Sequence, residues 1–562
     1  MKRGLWFAFP LVMAMGCGGG GAPANPGGTP LTDSALYAKA VQDYNGKAYV
    51  TAKGEFQELL GRPTATAYFD KSTIYIAAID YHQGNSATCL SVLGSPAPPT
   101  SGFFLSFPAS TELDRARYWH GRCELGLAPP AYLAARADFT AVIGMAATTY
   151  ADNAYFWRGR TYYATALASG SETSGDWSSA LGDFSAVIGS FGTSTTAPEA
   201  KYWLGRTHFA RAELAKGRGT VDGDTLAQAE LALAATELTE QPSQYPGNSW
   251  AADAAVYLGR THFEQASYAT GKVAAYTVAV NDLSPLLGTA ALVRDEANYW
   301  YGRALHELGL AHETAATPDF LAAKARLDEA TAQLRKFQTD TTLSTSKLAD
   351  NASYWVGRCL FSLADLLKTQ AATAADYLAA QDAYATAEAQ LLATKTNSQF
   401  TTSNVLDWVQ VYLGRSQYEQ GLCAENRMAG SGATPFATAA ASFQTYFTQF
   451  GATHASAAAA YYWRGRTYYA QANLALAIAE FNAVVNGWDY VGVSSTTKAT
   501  TTWWDNAQYH LVLAHSDQAG ASCTSAQASY DALKAALPAD PLLGPACTYM
   551  KDPTRCPSNT CP

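Results

Sequence analysis

Eight arginines in this 562-residue chain close one repeated phrase: two aromatic residues, any residue, then Gly-Arg. Full copies end at Arg122, Arg160, Arg206, Arg303, Arg358 and Arg466, and begin at Tyr118, Phe156, Tyr202, Tyr299, Tyr354 and Tyr462. Weaker copies end at Arg260 and Arg415, with Val256 and Val411 in the first place. A guanidinium is planar and permanently charged, so it can fork onto carboxylates or stack on rings. Helical spacing places aromatics on the face of each arginine: Phe156 and Tyr163 beside Arg160, Tyr202 and Phe209 beside Arg206, Tyr462 and Tyr469 beside Arg466. Such a ladder has two uses. On an open face it would hold the carboxylates of a peptide or the sugars and carboxylates of a glycan. Facing a partner helix, it would pair with acids, for which Glu55, Asp138, Asp183, Asp282 and Glu480 are available. Repeat-wide regularity favours the packing role.

The cysteines come next. Apart from Cys17 there are Cys89, Cys123, Cys359, Cys423, Cys523, Cys547, Cys556 and Cys561. An even number in an exported chain predicts disulfides, here four. Cys556 and Cys561 flank a short Pro-Ser-Asn-Thr turn and can bridge locally. Cys359 and Cys423 each follow a Gly-Arg phrase in neighbouring repeats, which suits a bridge between adjacent helices. Paired Cys-x-x-Cys knuckles of a zinc site do not occur. His208 and His262 take equivalent repeat positions and His306 sits one place on, as repeat substitutions do. Val221-Asp222-Gly223-Asp224 lacks the remaining ligands of a calcium loop and reads as a turn. Neither His-Glu-x-x-His, Gly-x-Ser-x-Gly nor a phosphate loop is found. The expectation is therefore a non-enzyme, with no catalytic residue, metal or cofactor. A net charge of −9, with 15% charged residues, also argues against nucleic acid as a partner.

The elements that carry these residues follow from their spacing. The eight arginines lie 38, 46, 54, 43, 55, 57 and 51 residues apart, a period that means stacked supersecondary units. Each phrase sits in a helical stretch, and a second helical pattern follows it. Tyr132/Ala135/Phe139/Val142, Trp177/Ala180/Phe184/Val187 and Tyr377/Ala380/Tyr384/Ala387 put large and small residues on one face. The fold class is all-α. Glycine inside a helix costs about 1 kcal/mol relative to alanine, so the repeated glycine predicts another backbone passing close by. Asp114, Asp152, Asp295, Asp350 and Asp407 stand eight residues before an arginine, where they would cap helix starts. Residues 34–110 form degenerate repeats with a Pro-rich loop at Ser95–Pro108, and 111–500 the core repeats. A degenerate capping repeat follows at 501–538, then a Cys/Pro-rich tail at 539–562.

The pairing of an aromatic, Gly-containing helix with an Ala…Phe…Ala helix resembles the tetratricopeptide repeat. The resemblance implies a right-handed superhelical solenoid of about ten helix–turn–helix pairs. The Tyr-Trp-x-Gly form resembles two bacterial envelope groups: the periplasmic Tol–Pal-associated coordinator and the tetratricopeptide lipoprotein of the β-barrel assembly machine. Arginine follows the glycine here, where those groups often carry glutamate. The N-terminus adds Met1-Lys2-Arg3, an apolar run from Leu5 to Met15, then Gly16-Cys17. This predicts a signal peptide over 1–16. The cysteine resembles that of a lipobox, which implies a lipid on Cys17, a flexible linker over 17–33 and an outer-membrane location. Together these imply a scaffold for envelope proteins or peptides, tied to a membrane by its lipid. The alternative from Tyr, Trp and Arg richness is a glycan- or peptidoglycan-binding receptor.

Overall fold

Segments rich in Ala, Leu and Gln alternate with short Gly, Pro, Ser and Thr stretches, and helices form between these breaks. The computed structural model describes residues 31–146, 148–288, 291–454, 456–486, 502–518, 522–552, 554–556 and 559. The chain divides into two compact units, Met1–Leu214 with Thr236–Trp250, and Ala215–Ala235 with Ala251–Pro562. Cys17 and Cys561, with the expected signal peptide and most of the linker, lie outside the described residues.

The first unit opens with α1 (Asp33–Asn45) on α2 (Tyr49–Gly61) and α3 (Phe69–His82) on α4 (Ser86–Leu93). A short α5 (Gly102–Ser106) precedes the pairs α6 (Leu113–Leu125) with α7 (Tyr132–Ile143) and α8 (Ala151–Ser169) with α9 (Gly175–Ser190). Next come α10 (Ala197–Lys216) and α11 (Val221–Gln244), which the division between the units cuts at Leu214 and at Ala235. The second unit pairs α12 (Ala251–Ala266) with α13 (Lys272–Leu283), α14 (Ala291–Glu313) with α15 (Phe320–Thr339), and α16 (Ala349–Gln370) with α17 (Ala374–Thr396). It continues with α18 (Leu406–Arg427) on α19 (Ala433–Phe450), α20 (Ala457–Ala470) on α21 (Leu474–Asn486), and α22 (Thr502–Asp517) on α23 (Cys523–Ala536), closing with α24 (Leu543–Met550). Among the described residues there is no strand. The architecture is all-α, built from helices packed in consecutive pairs.

Each pair closes on the pattern of its second helix. Ala135, Phe139 and Val142 are fully buried in α7, as are Ala180, Phe184 and Val187 in α9. In seven of the eight phrases the glycine faces a Phe or Leu of that second helix: Phe139, Phe184, Leu283, Leu334, Leu391, Phe443 and Phe481. A methyl group on Gly357 would meet Leu391 at 2.6 Å, and one on Gly465 would meet Phe481 at 2.7 Å. What comes close is therefore mainly a Phe or Leu side chain, rather than the second backbone the sequence suggested.

Four other expectations are corrected. Ser95–Pro108 is not all loop: α5 forms inside it because Phe103 and Phe104 bury against the first repeats. Val221-Asp222-Gly223-Asp224 is not a turn but the start of α11, while the Cys/Pro-rich tail at 539–562 carries α24, whose Ala546 and Met550 are fully buried. The disulfides differ as well. Cys89 pairs with Cys123, tying α4 to α6, and Cys556 pairs with Cys523 rather than Cys561. Cys547 is also disulfide-bonded. Cys359 and Cys423 are free, buried thiols. Cys359 directly follows Arg358, whereas Cys423 lies eight residues past Arg415. Equivalent repeat helices thus carry them about two turns, or roughly 10 Å, out of step, beyond the reach of a disulfide.

Candidate functional site

Six of the Gly-Arg arginines leave their own helix pair and stack on the next. Arg122 lies 3.7 Å from the ring centre of Trp157, and Arg160 the same distance from that of Trp203. In the second unit Arg260 meets Trp300 at 4.6 Å, Arg303 meets Trp355 at 4.0 Å, Arg358 meets Tyr412 at 4.2 Å, and Arg415 meets Trp463 at 4.2 Å. Behind each guanidinium lies the ring three residues earlier, as with Arg206 over Trp203 at 4.2 Å and Arg466 over Trp463 at 5.0 Å. Each unit therefore carries its own alternating stack of rings and cations. Each stack crosses from repeat to repeat along the first helices.

The expected aromatic neighbours four residues before the arginine act differently. Arg122 Nη1 donates to Tyr118 Oη at 2.7 Å, and its Nη2 donates to Tyr81 Oη at 2.8 Å. Arg206 and Arg358 bond likewise to Tyr202 and Tyr354. Phe156 has no hydroxyl and lies 5.7 Å from Arg160. Tyr299 packs edge-on against Trp300, and Tyr462 against Trp463. Burial pushes the Tyr354 and Tyr462 phenols up to about 12.

The second-helix acids pair elsewhere. Asp183 takes both prongs of Arg158, at 2.9 and 2.7 Å. Glu480 holds Arg464 at 2.9 Å, Asp282 holds His262, and Glu55 holds Lys39. In the first two pairs the partner stands just before the glycine. Two positions apart on a helix means about 200° around its axis. That residue faces its own second helix while the Gly-Arg arginine faces the next repeat. The arginines do meet two other acids: Arg160 approaches Glu199 at 3.7 Å and Arg260 approaches Glu296 at 3.5 Å, both on neighbouring first helices.

The helix-start aspartates have a second role that composition did not suggest. Asp114 Oδ1 accepts from the Arg115 N–H, and its Oδ2 accepts from the Thr148 hydroxyl at 2.8 Å, ahead of the next first helix. Ser346 donates to Asp295, Ser403 to Asp350 and Ser456 to Asp407, at 2.7, 2.6 and 2.7 Å. Asp152 accepts from Asn153 beside it. The overlooked signal is a Ser or Thr four residues before the aspartate: Ser110, Thr148, Ser346 and Ser403.

Three other places could do chemistry. His306 Nε2 lies 3.1 Å from Ser362 Oγ, and its Nδ1 lies 3.1 Å from Glu307. These are distances of a nucleophile, base and acid, yet His306 is fully buried and Ser362 nearly so. Burial lowers the His306 pKa, and Trp355 stands edge-on to the imidazole at 5.2 Å, so no substrate reaches the pair. Second, an apolar groove of about 390 Å³ opens between α15, α16 and α17, lined by Phe320, Leu321, Leu360, Leu363 and Leu367. Leu321 stands at its rim, 81% exposed. Lys324, Asp328 and Gln370 also line it.

The third is a buried group in the first unit: His120 and Glu124 on α6, and Asp138 on α7. His120 Nδ1 lies 2.5 Å from Asp138 Oδ2 and 3.7 Å from Glu124 Oε1. Arg117 touches the other Asp138 oxygen at 3.3 Å. Burial and the neighbouring Asp138 carboxylate push the Glu124 carboxyl up to about 7. The sequence places Asp138 correctly on the second helix, but His120-x-x-x-Glu124, four apart on one helical face, went unremarked.

No protein-family model and no curated protein sequence matches the chain. Solved structures similar to it include Naa15/Naa10 bound to HypK-THB, at 10% identity and a TM-score of 0.30, covering 92% of this chain and 91% of that one. The APC/C hetero-tetramer Cut9–Hcn1 has 13% identity and a TM-score of 0.25, covering 93% and 97%. Yeast Tom70 has 11% identity and a TM-score of 0.26, covering 91% and 98%. At such scores these likenesses carry no argument, and the architecture stands on its own helix pairs.

Proposed function

We propose that this protein is a non-enzymatic scaffold that holds protein partners in a bacterial cell envelope, tied to the outer membrane by a lipid on Cys17. The carrying observation is the apolar groove between α15, α16 and α17, with Leu321 and Leu367 open to solvent at 81% and 36%. A groove of this size suits a few apolar side chains of a partner segment, and its polar lining residues give that segment an orientation. The repeated Arg, Tyr and Trp residues are engaged between helices, so the richness that suggested a glycan receptor is accounted for by packing. The disulfides Cys89–Cys123 and Cys523–Cys556 suit an oxidising compartment outside the cytosol.

Two experiments test the parts separately. Capture from detergent-solubilised envelope, with the native chain and with Leu321→Asp/Leu367→Asp as bait, should recover defined proteins that the variant loses. Equal recovery by both baits removes the groove from the proposal. Binding to purified cell-wall material without any protein partner would favour the glycan receptor. Separately, Cys17→Ser should move the protein out of the membrane fraction. Unchanged fractionation would refute the anchor.

A further inference from the structure

The buried group on α6 and α7 differs from its counterparts in the other repeats. In α8 and α9 the same position before glycine holds Arg158, which meets Asp183 with two hydrogen bonds. In α20 and α21 it holds Arg464, which meets Glu480. There, one carboxylate faces one guanidinium and the charges balance. Tyr162 and Tyr468 stand where Glu124 stands in α6. In the α6–α7 pair an imidazole replaces the guanidinium and a second carboxylate is added. Glu124 is 8% exposed, Asp138 4% and His120 8%. Glu124 Oε2 is buried with no hydrogen-bond partner. Arg117 occupies one Asp138 oxygen and offsets one negative charge. Two carboxylates buried this close together, one of them with an unpartnered oxygen, form an arrangement that burial disfavours unless a cation joins it.

We propose that His120, Glu124 and Asp138 form a binding site for a divalent transition-metal ion, Zn²⁺ by preference. The donor atoms are His120 Nδ1, a Glu124 carboxylate oxygen and Asp138 Oδ2, and all lie within 4.8 Å of one another. Zinc takes imidazole nitrogen and carboxylate oxygen at about 2.0–2.2 Å, which puts tetrahedral ligands roughly 3.3 Å apart. The contacts of 2.5 and 3.7 Å from His120 bracket that figure, so modest side-chain rotation opens the site. One nitrogen and two oxygens leave a fourth position for water. The imidazole favours zinc over calcium and magnesium, which take all-oxygen shells. Helices supply all three donors: His120 and Glu124 share one face of α6, and Asp138 comes from the packed α7. The disulfide at Cys123, between the two α6 ligands in sequence, ties that helix to α4. This ion would be structural, clasping the two helices of one repeat.

The test uses the full chain, stripped of metal with a chelator and titrated with ZnCl₂ in a calorimeter. The expected result is one ion per chain, with the affinity reduced on the order of 100-fold in Glu124→Gln and in Asp138→Asn. Arg158→Gln, in the neighbouring repeat, should leave binding unchanged. Co²⁺ in place of Zn²⁺ should give the intense visible absorption of a four-coordinate ion, bleached by added Zn²⁺. Should the Glu124 and Asp138 variants fail to fold, modification of His120 by diethylpyrocarbonate, mapped by mass spectrometry on the native chain, decides the matter. Zinc should protect His120. No stoichiometric binding overturns the proposal, as does binding that the folded variants retain or a His120 reactivity indifferent to zinc.

Discussion

Replacing Arg303 with methionine tests whether the cation–ring stack holds neighbouring repeats together. The substitution keeps an apolar stem in α14 and removes the guanidinium. Arg303 Cζ lies 4.0 Å from the Trp355 ring centre on α16, and 5.1 Å from those of Trp300 and Phe263. A cation over a ring contributes about 0.5–1 kcal/mol when exposed and about 2 kcal/mol or more when desolvated. Trp355 is the nearest ring and the surroundings are largely buried, so its share is about 1–2 kcal/mol. The two farther rings add less. Arg303 also sits near Glu307, whose carboxyl is held below its ordinary range by His306 and then by Arg303 and Arg358, against the opposing effect of burial. The whole substitution should therefore cost about 2–4 kcal/mol. Urea unfolding of Arg303→Met, Trp355→Leu and the double variant isolates the pair. The coupling energy should be about 1–2 kcal/mol. Arg303→Lys should restore less than half of it, because an ammonium lacks the flat face. A coupling below about 0.3 kcal/mol, the level at which independent sites simply add, would refute the stack as an inter-repeat bond.

Gly357→Ala should destabilise by about 1–3 kcal/mol despite better helix propensity, because its methyl meets Leu391 at 2.6 Å. Gly182→Ala, in α9 with open space around it, should instead stabilise by up to about 1 kcal/mol; thermal melts of the two variants give the comparison. His510 is buried beside Arg466, and its pKa falls from 6.5 to about 3, first through burial and then through that charge. The folded imidazole stays neutral while the unfolded one takes a proton below pH 6.5, so its contribution is full above that pH and fades as pH falls towards 3. Unfolding free energies from denaturant titrations over that window should slope at about 1.4 kcal/mol per pH unit from this group, and His510→Phe should flatten the slope. Burial pushes the Cys359 thiol up to about 12 and that of Cys423 to about 11. Maleimide should therefore label neither in the folded chain and both after unfolding, and labelling of either in the native state would contradict the assignment. Reducing Cys89–Cys123, which closes 34 residues, should lower stability by about 3–4 kcal/mol.

The sequence by itself determined the helix pairs. A recurring phrase followed by large and small residues three and four apart leaves a helix only one face to bury, and that face needs a second helix beside it. Phe139, Phe184, Tyr384 and Phe481 are fully buried where this pattern put them. Only the tertiary structure decided which groups meet across the pairs. Helical periodicity gives the direction of a side chain around its own axis but not the identity of what lies opposite. Hence helical spacing sets Arg160 between Phe156 and Tyr163 of its own helix, whereas Trp203 of the next repeat is the ring it covers at 3.7 Å. Asp183 was offered to the Gly-Arg arginine, yet Arg158, on the other side of that helix, takes it. The disulfides follow the same rule: Cys556 lies near Cys561 in sequence, but folding brings its Cα within 5.4 Å of that of Cys523. The grouping of His120, Glu124 and Asp138 likewise waited on the contact between α6 and α7. Spacing along one helix supplies two of those donors, and only packing supplies the third.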